Sequence, residues 1–585
     1  MEVMSILAQA CDASMPRVRS YPKRSAWLWT DQIADLRRES VHLRRAFGRV
    51  RNDPDSDSEA VLAAQKDFCV AVKALREAIG AARGKGWDTL LLSLDADPWG
   101  RPYRIVMQKL KPWTPPLTVT LDPRFLERVM GSLFQVGRGD PIGPYIALTP
   151  DQQGEVPGVT EEEVAGAIKK VKSRKAPGPD GIPGRVLTLA SGFMNQRFAD
   201  LFSQALRKGR LPPVWGRANV VLLRKEGKPE DSPSAYRPIC LLDEAGKLFE
   251  RVIAARLTEH MSRKGSSLHD GQYGFREGRS TVDAILHLKA LSEAIVMEGR
   301  VAVAVSLDIA NAFNTLPWGG VVKAMREYFC FPPYLTAVVK DYFRGRRLSW
   351  MDADGKVRER GISCGVPQGS VLGPLLWNLA YNSVLRVALP PGCSIICYAD
   401  DTLILAGGKD WGEAVVTANQ AVAGVVCAIR NLGLVVAEKK TEAIFFHDKG
   451  RKPSQAQIKV GTTRVPIEAQ MNYLGLILDG TWCFRGHVNR LVSRLRAVSN
   501  RLGRLMPNVG GPDGKARRLH AGVLNSVALY GAPVWAEALA VSRPMQAQLR
   551  KVHRTQAVRV ARCYRTVSCV AAEALASMPP WSSSR

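Results

Sequence analysis

Residues 301–317 read VAVAVSLDIANAFNTLP, and this run decides how the middle of the chain folds. Its first seven residues are small, apolar or β-branched, a composition typical of a buried strand. The run turns polar at Asp308, so the pattern predicts a strand that ends there and brings a carboxylate to the edge of a sheet. An aspartate that closes a strand is also ordinary turn chemistry, so this position alone leaves a structural role open.

A second acidic position, formed by Asp400 and Asp401, lies between the apolar runs ICYA and TLILA within residues 396–406. This pattern predicts a β-hairpin with both acids at its tip. The two carboxylates repel each other, and no Lys or Arg stands between Arg386 and Lys409 to compensate them. Magnesium is the natural compensator, and three carboxylates would converge if the hairpin paired beside the Asp308 strand.

Helical patterns alternate with short apolar strands from about residue 160 to 480, which predicts an α+β body. Further strands are expected at 218–225, 393–399 and 443–446. Residues 25–85 have two amphipathic helical patterns separated by NDPDSDSE at 52–59. The arginines of the first pattern fit a solvated helix face, with an RNA-binding arm or a coiled coil as alternatives.

The charge of the chain favours a polyanionic partner. Lys and Arg number 82 against 54 Asp and Glu, giving +28, and residues 480–585 contribute 17 minus 3, or +14. Nucleic acid is the first expectation and an anionic membrane surface the second. No apolar run reaches the roughly 18 residues of a membrane span, and the first residues do not form a convincing signal peptide. Eleven cysteines without a Cys-x-x-Cys pair are expected to be reduced and mostly structural.

The sequence resembles the reverse transcriptases of non-LTR (LINE-type) retrotransposons, most closely those of the arthropod type. The resemblance rests on eight blocks in the family's order: KAPGPDGIPGRVL (175–187), YRPICLLDEAGKLFERVI (236–253), GQYGFREGRSTVDAI (271–285), SLDIANAFNTL (306–316), GVPQGSVLGPLLWNLAYN (365–382), YADDT (398–402), GLVVAEKKTEAIFF (433–446) and NYLGLILD (472–479). Eight ordered blocks make coincidence negligible, whereas YADD alone would be weak evidence.

The resemblance implies a set of catalytic residues. Asp308 and Asp400 would bind two Mg²⁺ ions, or Mn²⁺ in their place, with Asp401 completing the acidic cluster. Lys440 would protonate the departing pyrophosphate, and the neighbouring Lys439 is an equal candidate for that role.

The resemblance also implies substrate contacts. Phe313 would be a steric gate against the ribose 2′ hydroxyl, and its structural alternative is a core side chain. Arg237 would grip the triphosphate of the incoming dNTP, with Lys225 a weaker candidate; for both, the alternative is a solvated surface. Gln368 would lie near the nascent base pair. The remaining template and primer contacts expected are Gly369, Leu474, Gly475, Arg490 and Arg494.

The fold implied is a right-hand polymerase with an antiparallel palm sheet and a helical thumb. Its expected parts are a basic helical N-terminal extension (1–110), a connector (111–160), fingers (161–300), palm (301–480) and a helical basic thumb (481–585). The implied reaction is RNA-directed DNA synthesis. The expected partners are template RNA, a DNA primer or nicked target DNA, and dNTPs, without a membrane, in the nucleus or in a cytoplasmic ribonucleoprotein.

Motifs of an endonuclease, an RNase H domain and a zinc knuckle are not found, so we expect a polymerase core without its own nuclease.

Two alternatives to a reverse transcriptase remain at this point. A domesticated, inactive RNA-binding relic is one alternative, and primer extension distinguishes it from an enzyme. An RNA-dependent RNA polymerase is the other, and Phe313 together with YADD disfavours it.

Overall fold

The computed structural model describes residues 2–14, 29–110, 114–137, 142–143, 147–173, 175–448 and 455–581. The chain is a mixed α/β protein that divides into two compact units. The first unit comprises residues 1–17 and 114–486, and the second comprises residues 18–113 and 487–585. Each unit is therefore built from segments that are far apart in the sequence.

The described residues form the following helices, numbered in chain order: α1 (Glu2–Ser14), α2 (Asp31–Arg51), α3 (Ser58–Leu92), α4 (Arg101–Val106), α5 (Leu117–Thr120), α6 (Pro123–Leu133), α7 (Pro150–Gly154), α8 (Glu161–Lys169), α9 (Gly184–Ala190), α10 (Asn195–Lys208), α11 (Glu244–Lys264), α12 (Thr281–Met297), α13 (Ala312–Thr315), α14 (Trp318–Lys323), α15 (Pro333–Phe343), α16 (Gly373–Leu385), α17 (Trp411–Asn431), α18 (Arg485–Gly503), α19 (Gly514–Ala528), α20 (Ala532–Val541), α21 (Arg543–Val560) and α22 (Cys569–Ala576). Three 3₁₀ turns (Pro213–Gly216, Pro233–Ala235 and Glu438–Lys440) and a π-helical turn (Ala324–Tyr328) join them.

The strands are β1 (Arg217–Arg224), β2 (Tyr236–Leu241), β3 (Val301–Leu307), β4 (Arg347–Met351), β5 (Val357–Gly361), β6 (Cys393–Tyr398), β7 (Asp401–Gly408), β8 (Glu442–Phe446), β9 (Gln457–Val460), β10 (Thr463–Glu468), β11 (Gln470–Tyr473) and β12 (Leu476–Asp479). The strands predicted at 218–225, 301–307, 393–399 and 443–446 are confirmed as β1, β3, β6 and β8. The hairpin predicted around the acidic pair is confirmed as β6 and β7.

A six-stranded sheet forms the centre of the first unit, in the order β6-β7-β3-β8-β10-β9. Pairing is antiparallel except between β8 and β10. Residues 302–305 of β3 are all buried, so both faces of this strand are covered, which explains its uninterrupted apolar run. Helices α12 and α17 pack on this sheet.

Helix α17 is, by length and composition, apolar enough to cross a membrane. Its sequence mixes alanine and valine with few charges, which fits helix–sheet packing as well. Its contacts with β3, β7 and β9 bury seven side chains, namely Ala414, Ala418, Ala421, Val422, Val425, Val426 and Ile429. This is the behaviour of a helix in a protein core.

A second sheet in the first unit has the order β2-β1-β4-β5. It combines two strands before residue 300 with two strands after residue 340, because β1 pairs in parallel with β4. The predicted boundary between fingers and palm lies at residue 300. Strands from both sides of that boundary therefore belong to one sheet.

The second unit brings the N-terminal helices together with the C-terminal ones. The two helical patterns predicted within residues 25–85 are confirmed as α2 and α3. These helices pack on each other, with the rings of Phe47 and Phe68 stacked at 6.2 Å. The ring of Tyr103, in α4, stacks at 5.6 Å on His520, in α19. Arg517 is fully buried and donates hydrogen bonds to four backbone carbonyl groups, those of Pro507, Gly510, Pro512 and Arg559.

Candidate active site

The three predicted catalytic aspartates lie at one end of the six-stranded sheet. Strand β3 pairs with β7 so that Leu307 is opposite Thr402, and continuing this register puts Asp308 opposite Asp401. Asp400 occupies the turn between β6 and β7. The expectation that the hairpin pairs beside the Asp308 strand is therefore confirmed.

The carboxylates influence one another electrostatically. Burial raises the pKa of Asp400, and the negative charge of Asp308 adds to that rise. The pKa of Asp401 is raised to about 6, first because protein atoms displace water around its carboxylate, and then because Asp400 and Asp308 are close. Both pKa shifts therefore arise first from burial and then from negative charges that lie close together.

Lys440 supplies part of that compensation. Its Nζ lies 2.5 Å from Oδ2 of Asp308. The backbone holds the two residues together, because the amide of Ala437 donates to the carbonyl of Asp308 and the amide of Lys440 donates to the carbonyl of Ala437, each at 2.8 Å. Between the two lysine candidates for the general acid, Lys440 lines the cleft described next, whereas Lys439 is not among its lining residues.

A cleft of about 490 Å³ opens beside Asp308. Most of the residues predicted for the chemistry and for nucleotide binding line it, although they come from segments spread over more than 200 residues of the sequence. These lining residues are Lys225, Arg237, Asp308, Phe313, Gln368, Gly369, Asp400 and Lys440. The structure thus brings together what the sequence motifs list separately.

Cationic side chains also line this cleft. Arg237, in β2, is exposed. Lys225 follows β1, and its ammonium donates a hydrogen bond to the carbonyl of Ser234 at 3.1 Å. The pKa of Lys225 is lowered by burial and by the positive charges of Lys228, Arg237 and Lys440. Such a group of cations suits a polyphosphate, because phosphate oxygens accept charge-assisted hydrogen bonds.

Phe313 is half-buried and forms part of the cleft wall. Its ring centroid lies 5.2 Å from that of Trp377 and 5.7 Å from that of Phe275. Its carbonyl accepts a hydrogen bond from the amide of Val366 at 2.8 Å. Phe313 is therefore both packed against the core and available to a ligand, so the two alternatives for it are compatible.

Gln368 and Gly369 lie in a loop that approaches β2 closely. The carbonyl of Gln368 accepts a hydrogen bond from the amide of Cys240 at 2.8 Å. Gly369 has φ +131°, and a Cβ there would lie 2.5 Å from the carbonyl oxygen of Cys240. Only glycine fits this position without displacing the strand that carries Arg237.

Glu250, a residue that the sequence analysis did not single out, anchors the same loop. One oxygen of this buried carboxylate accepts hydrogen bonds from Ser370 Oγ at 2.8 Å and from the amides of Val371 at 2.6 Å and Leu372 at 3.1 Å. Its other oxygen lies 3.8 Å from the guanidinium of Arg346, which is also buried. In the sequence, its position within the YRPICLLDEAGKLFERVI block was the one feature that could have indicated the importance of Glu250.

Four predicted template or primer contacts are not among the residues that line the cleft. Leu474 and Gly475 form the two-residue turn between β11 and β12, with φ of +46° and +88°. Arg490 and Arg494 lie in the second unit, on the exposed face of α18 opposite the buried Leu491 and Leu495. Helix α18 is thus amphipathic, and the roles of the four residues stay predictions.

The carboxylates of the cleft are oxygen donors of the kind that divalent metal ions bind. In the described segments, no three His, Cys, Asp or Glu side chains stand close enough together to hold a metal ion, and Asp308 is paired with Lys440 instead. Asp308 and Asp400 nevertheless line one cleft. Burial and then the charge of Asp308 raise the pKa of Asp400, and a hard cation would stabilise its ionised carboxylate. The residues fit such a cation in their chemistry, and the shared three-carboxylate site stays a prediction.

Aspartates at a sheet edge that line one cleft with lysine and arginine side chains are typical of one class of site, that of metal-assisted chemistry on polyphosphate substrates. The family follows from comparison with known proteins. Residues 223–478 match the family described as reverse transcriptase (RNA-dependent DNA polymerase). This segment is a reverse transcriptase domain, and the chain is a homologue of non-LTR retrotransposon proteins.

Three relatives illustrate this homology. A putative 115 kDa protein in type-1 retrotransposable element R1DM of Drosophila melanogaster is 29% identical over 98% of this chain and 55% of its own length. The Pol polyprotein from type-1 retrotransposable element R1 of Bradysia coprophila is 26% identical, over 88% and 51%. The probable RNA-directed DNA polymerase from transposon BS of D. melanogaster is 30% identical, over 64% and 42%. The chain thus spans about half the length of these relatives.

Proposed function

We propose that the chain is an RNA-directed DNA polymerase of a non-LTR retrotransposon, which extends a DNA 3′ end on an RNA template. The observation that carries the proposal is the single cleft that Asp308 and Asp400 line together with Lys225, Arg237 and Lys440. This cleft lies within a reverse transcriptase domain. Template RNA, a DNA primer or nicked target DNA, and dNTPs are the proposed partners, and the nucleus is the proposed place of synthesis.

The cationic side of the cleft would bind the incoming triphosphate. Arg237 offers a planar guanidinium with several donors, and its exposure leaves these donors accessible to phosphate oxygens. Lys225 adds a second charge. Burial and then the neighbouring cations lower its pKa, and a bound polyphosphate would stabilise its charged form. These residues therefore bind and orient the nucleotide before reaction.

Asp308 and Asp400, with Asp401 beside them, are the proposed ligands of two Mg²⁺ ions. When bound, such ions lower the barrier to in-line attack by the primer 3′ hydroxyl, because they stabilise charge on the attacking and leaving oxygens. Asp308 also holds the ammonium of Lys440 in the cleft. Lys440 is thereby kept near the reacting phosphates, where it can give a proton to the leaving pyrophosphate.

Phe313 is the proposed discriminator between deoxyribose and ribose. A ring in the cleft wall leaves room for a sugar hydrogen but not for a 2′ hydroxyl. The contacts of the ring with Trp377 and Phe275 support this role, because a gate must resist displacement. Selection of dNTPs over rNTPs follows from this steric limit.

We assign the remaining parts to a right-hand arrangement. The fingers correspond to 161–300 together with β4 and β5, and the palm to the rest of 301–480. The helical basic thumb corresponds to 481–585, with an N-terminal extension at 1–110 and a connector at 111–160. Arg490 and Arg494 would follow the backbone of the RNA–DNA hybrid by charge and shape. Leu474 and Gly475 would contact the primer end through their backbone.

Primer extension on an RNA template tests this function. The purified chain is given template RNA, an annealed DNA primer, Mg²⁺ and either dNTPs or rNTPs. The proposal predicts extension with dNTPs and little with rNTPs. Tight binding of the hybrid without extension would instead support the inactive RNA-binding relic, and equal use of rNTPs would support an RNA polymerase.

A further inference from the structure

A buried glutamine lies directly beneath the tip of the hairpin that carries Asp400. Gln272 is 1% exposed, and its Oε1 accepts hydrogen bonds from the amides of Ala399 at 3.0 Å and Gly274 at 2.9 Å. Its Nε2 donates to the carbonyl of Ala399 at 3.4 Å. One amide side chain therefore binds both backbone polar groups of the residue that precedes Asp400.

Ala399 needs this support because its backbone is strained. Its φ is +61°, in the left-handed region that favours glycine over alanine. Trp377 adds a further hydrogen bond, from Nε1 to the same carbonyl at 3.0 Å. Strained backbone persists only where surrounding structure holds it, and such positions cluster at functional sites.

The segment around Gln272 is itself fixed to the hairpin. The amide of Cys397 donates to the carbonyl of Gly271 at 2.7 Å, and the amide of Tyr273 donates to the carbonyl of Cys397 at 2.8 Å. Gly274 passes so close that a Cβ there would lie 2.2 Å from the amide nitrogen of Ala399. The Gly271–Tyr273 segment is thus paired with the edge of β6 at Cys397, and these bonds hold Gln272 beside the turn.

We propose that Gln272 is a positioning residue, which holds the Ala399 turn in the conformation that brings Asp400 into the cleft. The inference rests on the proposed polymerase function. Gln272 is not among the residues that line the cleft in the described chain, so it acts through the backbone of Ala399. The GQYGF motif then has a mechanical role beneath the catalytic turn.

The test compares Gln272→Met with a matched control. Methionine keeps the length of the side chain but has no amide, so it loses all three hydrogen bonds to the turn and to Gly274. The control is Asn382→Leu, because Asn382 is 2% exposed and its Oδ1 accepts the amide of His269 at 2.8 Å in the same loop, away from the hairpin tip. Both variants lose buried amide bonds to this loop, and only one loses contact with Ala399.

Two readouts separate positioning from general stability. We expect kcat for dNTP addition to fall about 10- to 100-fold in Gln272→Met, with hybrid affinity unchanged, because a small misplacement of a catalytic group is costly. We also expect the Ala399 amide to exchange its hydrogen at least about 10-fold faster. Asn382→Leu should change neither readout. Equal losses of kcat in both variants, or unchanged exchange in Gln272→Met, would overturn the inference.

The exchange measurement needs no activity, so it remains decisive if wild-type protein does not extend primers, an outcome that would count against the proposed function alone. If Gln272→Met does not fold, Gln272→Asn keeps a buried amide but is one methylene shorter, so it should weaken the hydrogen bonds to Ala399. The inference then predicts faster exchange of the Ala399 amide than in the wild type. Unchanged exchange in Gln272→Asn would contradict it.

Discussion

The ammonium of Lys440 and the carboxylate of Asp308 form an ion pair at 2.5 Å, although 132 residues separate them in the sequence. The pair joins the end of β3 to the 3₁₀ turn at Glu438–Lys440. Both side chains are partly exposed, so the pair contributes little to stability in water. We propose that its importance is chemical, because it keeps the proposed proton donor beside a proposed metal ligand.

Replacing Lys440 tests this role. Lys440→Ala should lower kcat for dNTP addition about 10²- to 10⁴-fold, the range usual for loss of a general acid, while hybrid affinity stays the same. Lys439→Ala is the control, because Lys439 is not among the cleft-lining residues. Pre-steady-state primer extension measures both variants. Equal effects of the two substitutions would argue against a specific role for Lys440.

Replacing Phe313 tests the steric gate. Phe313→Ala should raise the ratio of rNTP to dNTP incorporation about 10- to 100-fold, because removing the ring opens space for the 2′ hydroxyl. The ratio of kcat/KM values is the measurement, since loss of packing against Trp377 would lower both rates together. An unchanged ratio would show that selection depends on another residue.

Glu250 should be essential for stability. Glu250→Gln leaves the buried Arg346 without a partner charge and weakens the anchor of the loop that carries Gln368, so we expect a loss of about 3–5 kcal/mol in the free energy of unfolding. Adding Arg346→Met should recover much of that loss. The control is Glu259→Gln on the same helix, because its pair with Arg263 is exposed and worth about 0–1 kcal/mol.

Denaturant unfolding followed in the first unit measures these variants. A cost for Glu250→Gln no larger than that of Glu259→Gln would contradict the anchoring role. So would a double variant that is less stable than Glu250→Gln alone.

The Asp243–Asp180 pair predicts a pH dependence of stability. The pKa of Asp243 is raised to about 7, by burial and then by the nearby charge of Asp180. A carboxyl group with a raised folded-state pKa stabilises the fold while it is protonated, and this contribution is lost as the pH rises through 7. Stability of the first unit should therefore fall by about 2–3 kcal/mol from pH 5 to pH 8.

Asp243→Asn should flatten this dependence. Asparagine keeps an oxygen for the hydrogen bond that the Asp180 amide donates at 3.0 Å, but it cannot ionise. Urea unfolding at the two pH values measures the effect, and Asp200→Asn, at an exposed position, should leave the slope as it is in the wild type. The same slope in Asp243→Asn and wild type would refute the assignment.

Features set by local pattern were predictable from the sequence. The strand before Asp308 is buried on both faces, so its apolar run was unambiguous. The acidic hairpin lies between two such runs, and the family motifs then identified most residues of the cleft. The amphipathic helices at both ends of the chain followed from their periodicity.

Features set by distant partners were not predictable. Strand β5 (VRERG) is almost fully exposed, so its sequence lacks the alternation that marks a strand, and its pairing with β4 is what forms it. Nothing in the local sequence distinguishes Gln272 and Glu250 from other polar residues. Their importance depends on hydrogen bonds with backbone amides about 120 residues away. The assembly of N-terminal and C-terminal helices into one unit likewise depends on contacts such as Tyr103 with His520.

Single-nucleotide extension of a DNA primer on RNA by Asp400→Asn, beside wild type, tests the central claim most directly. Asparagine keeps the shape of the turn but removes the carboxylate, so extension should fall by at least about 10³-fold while the hybrid still binds. Asp448→Asn, at an exposed position after β8, should extend at the wild-type rate. Extension by Asp400→Asn at the wild-type rate would contradict the assignment of this cleft as the polymerase active site.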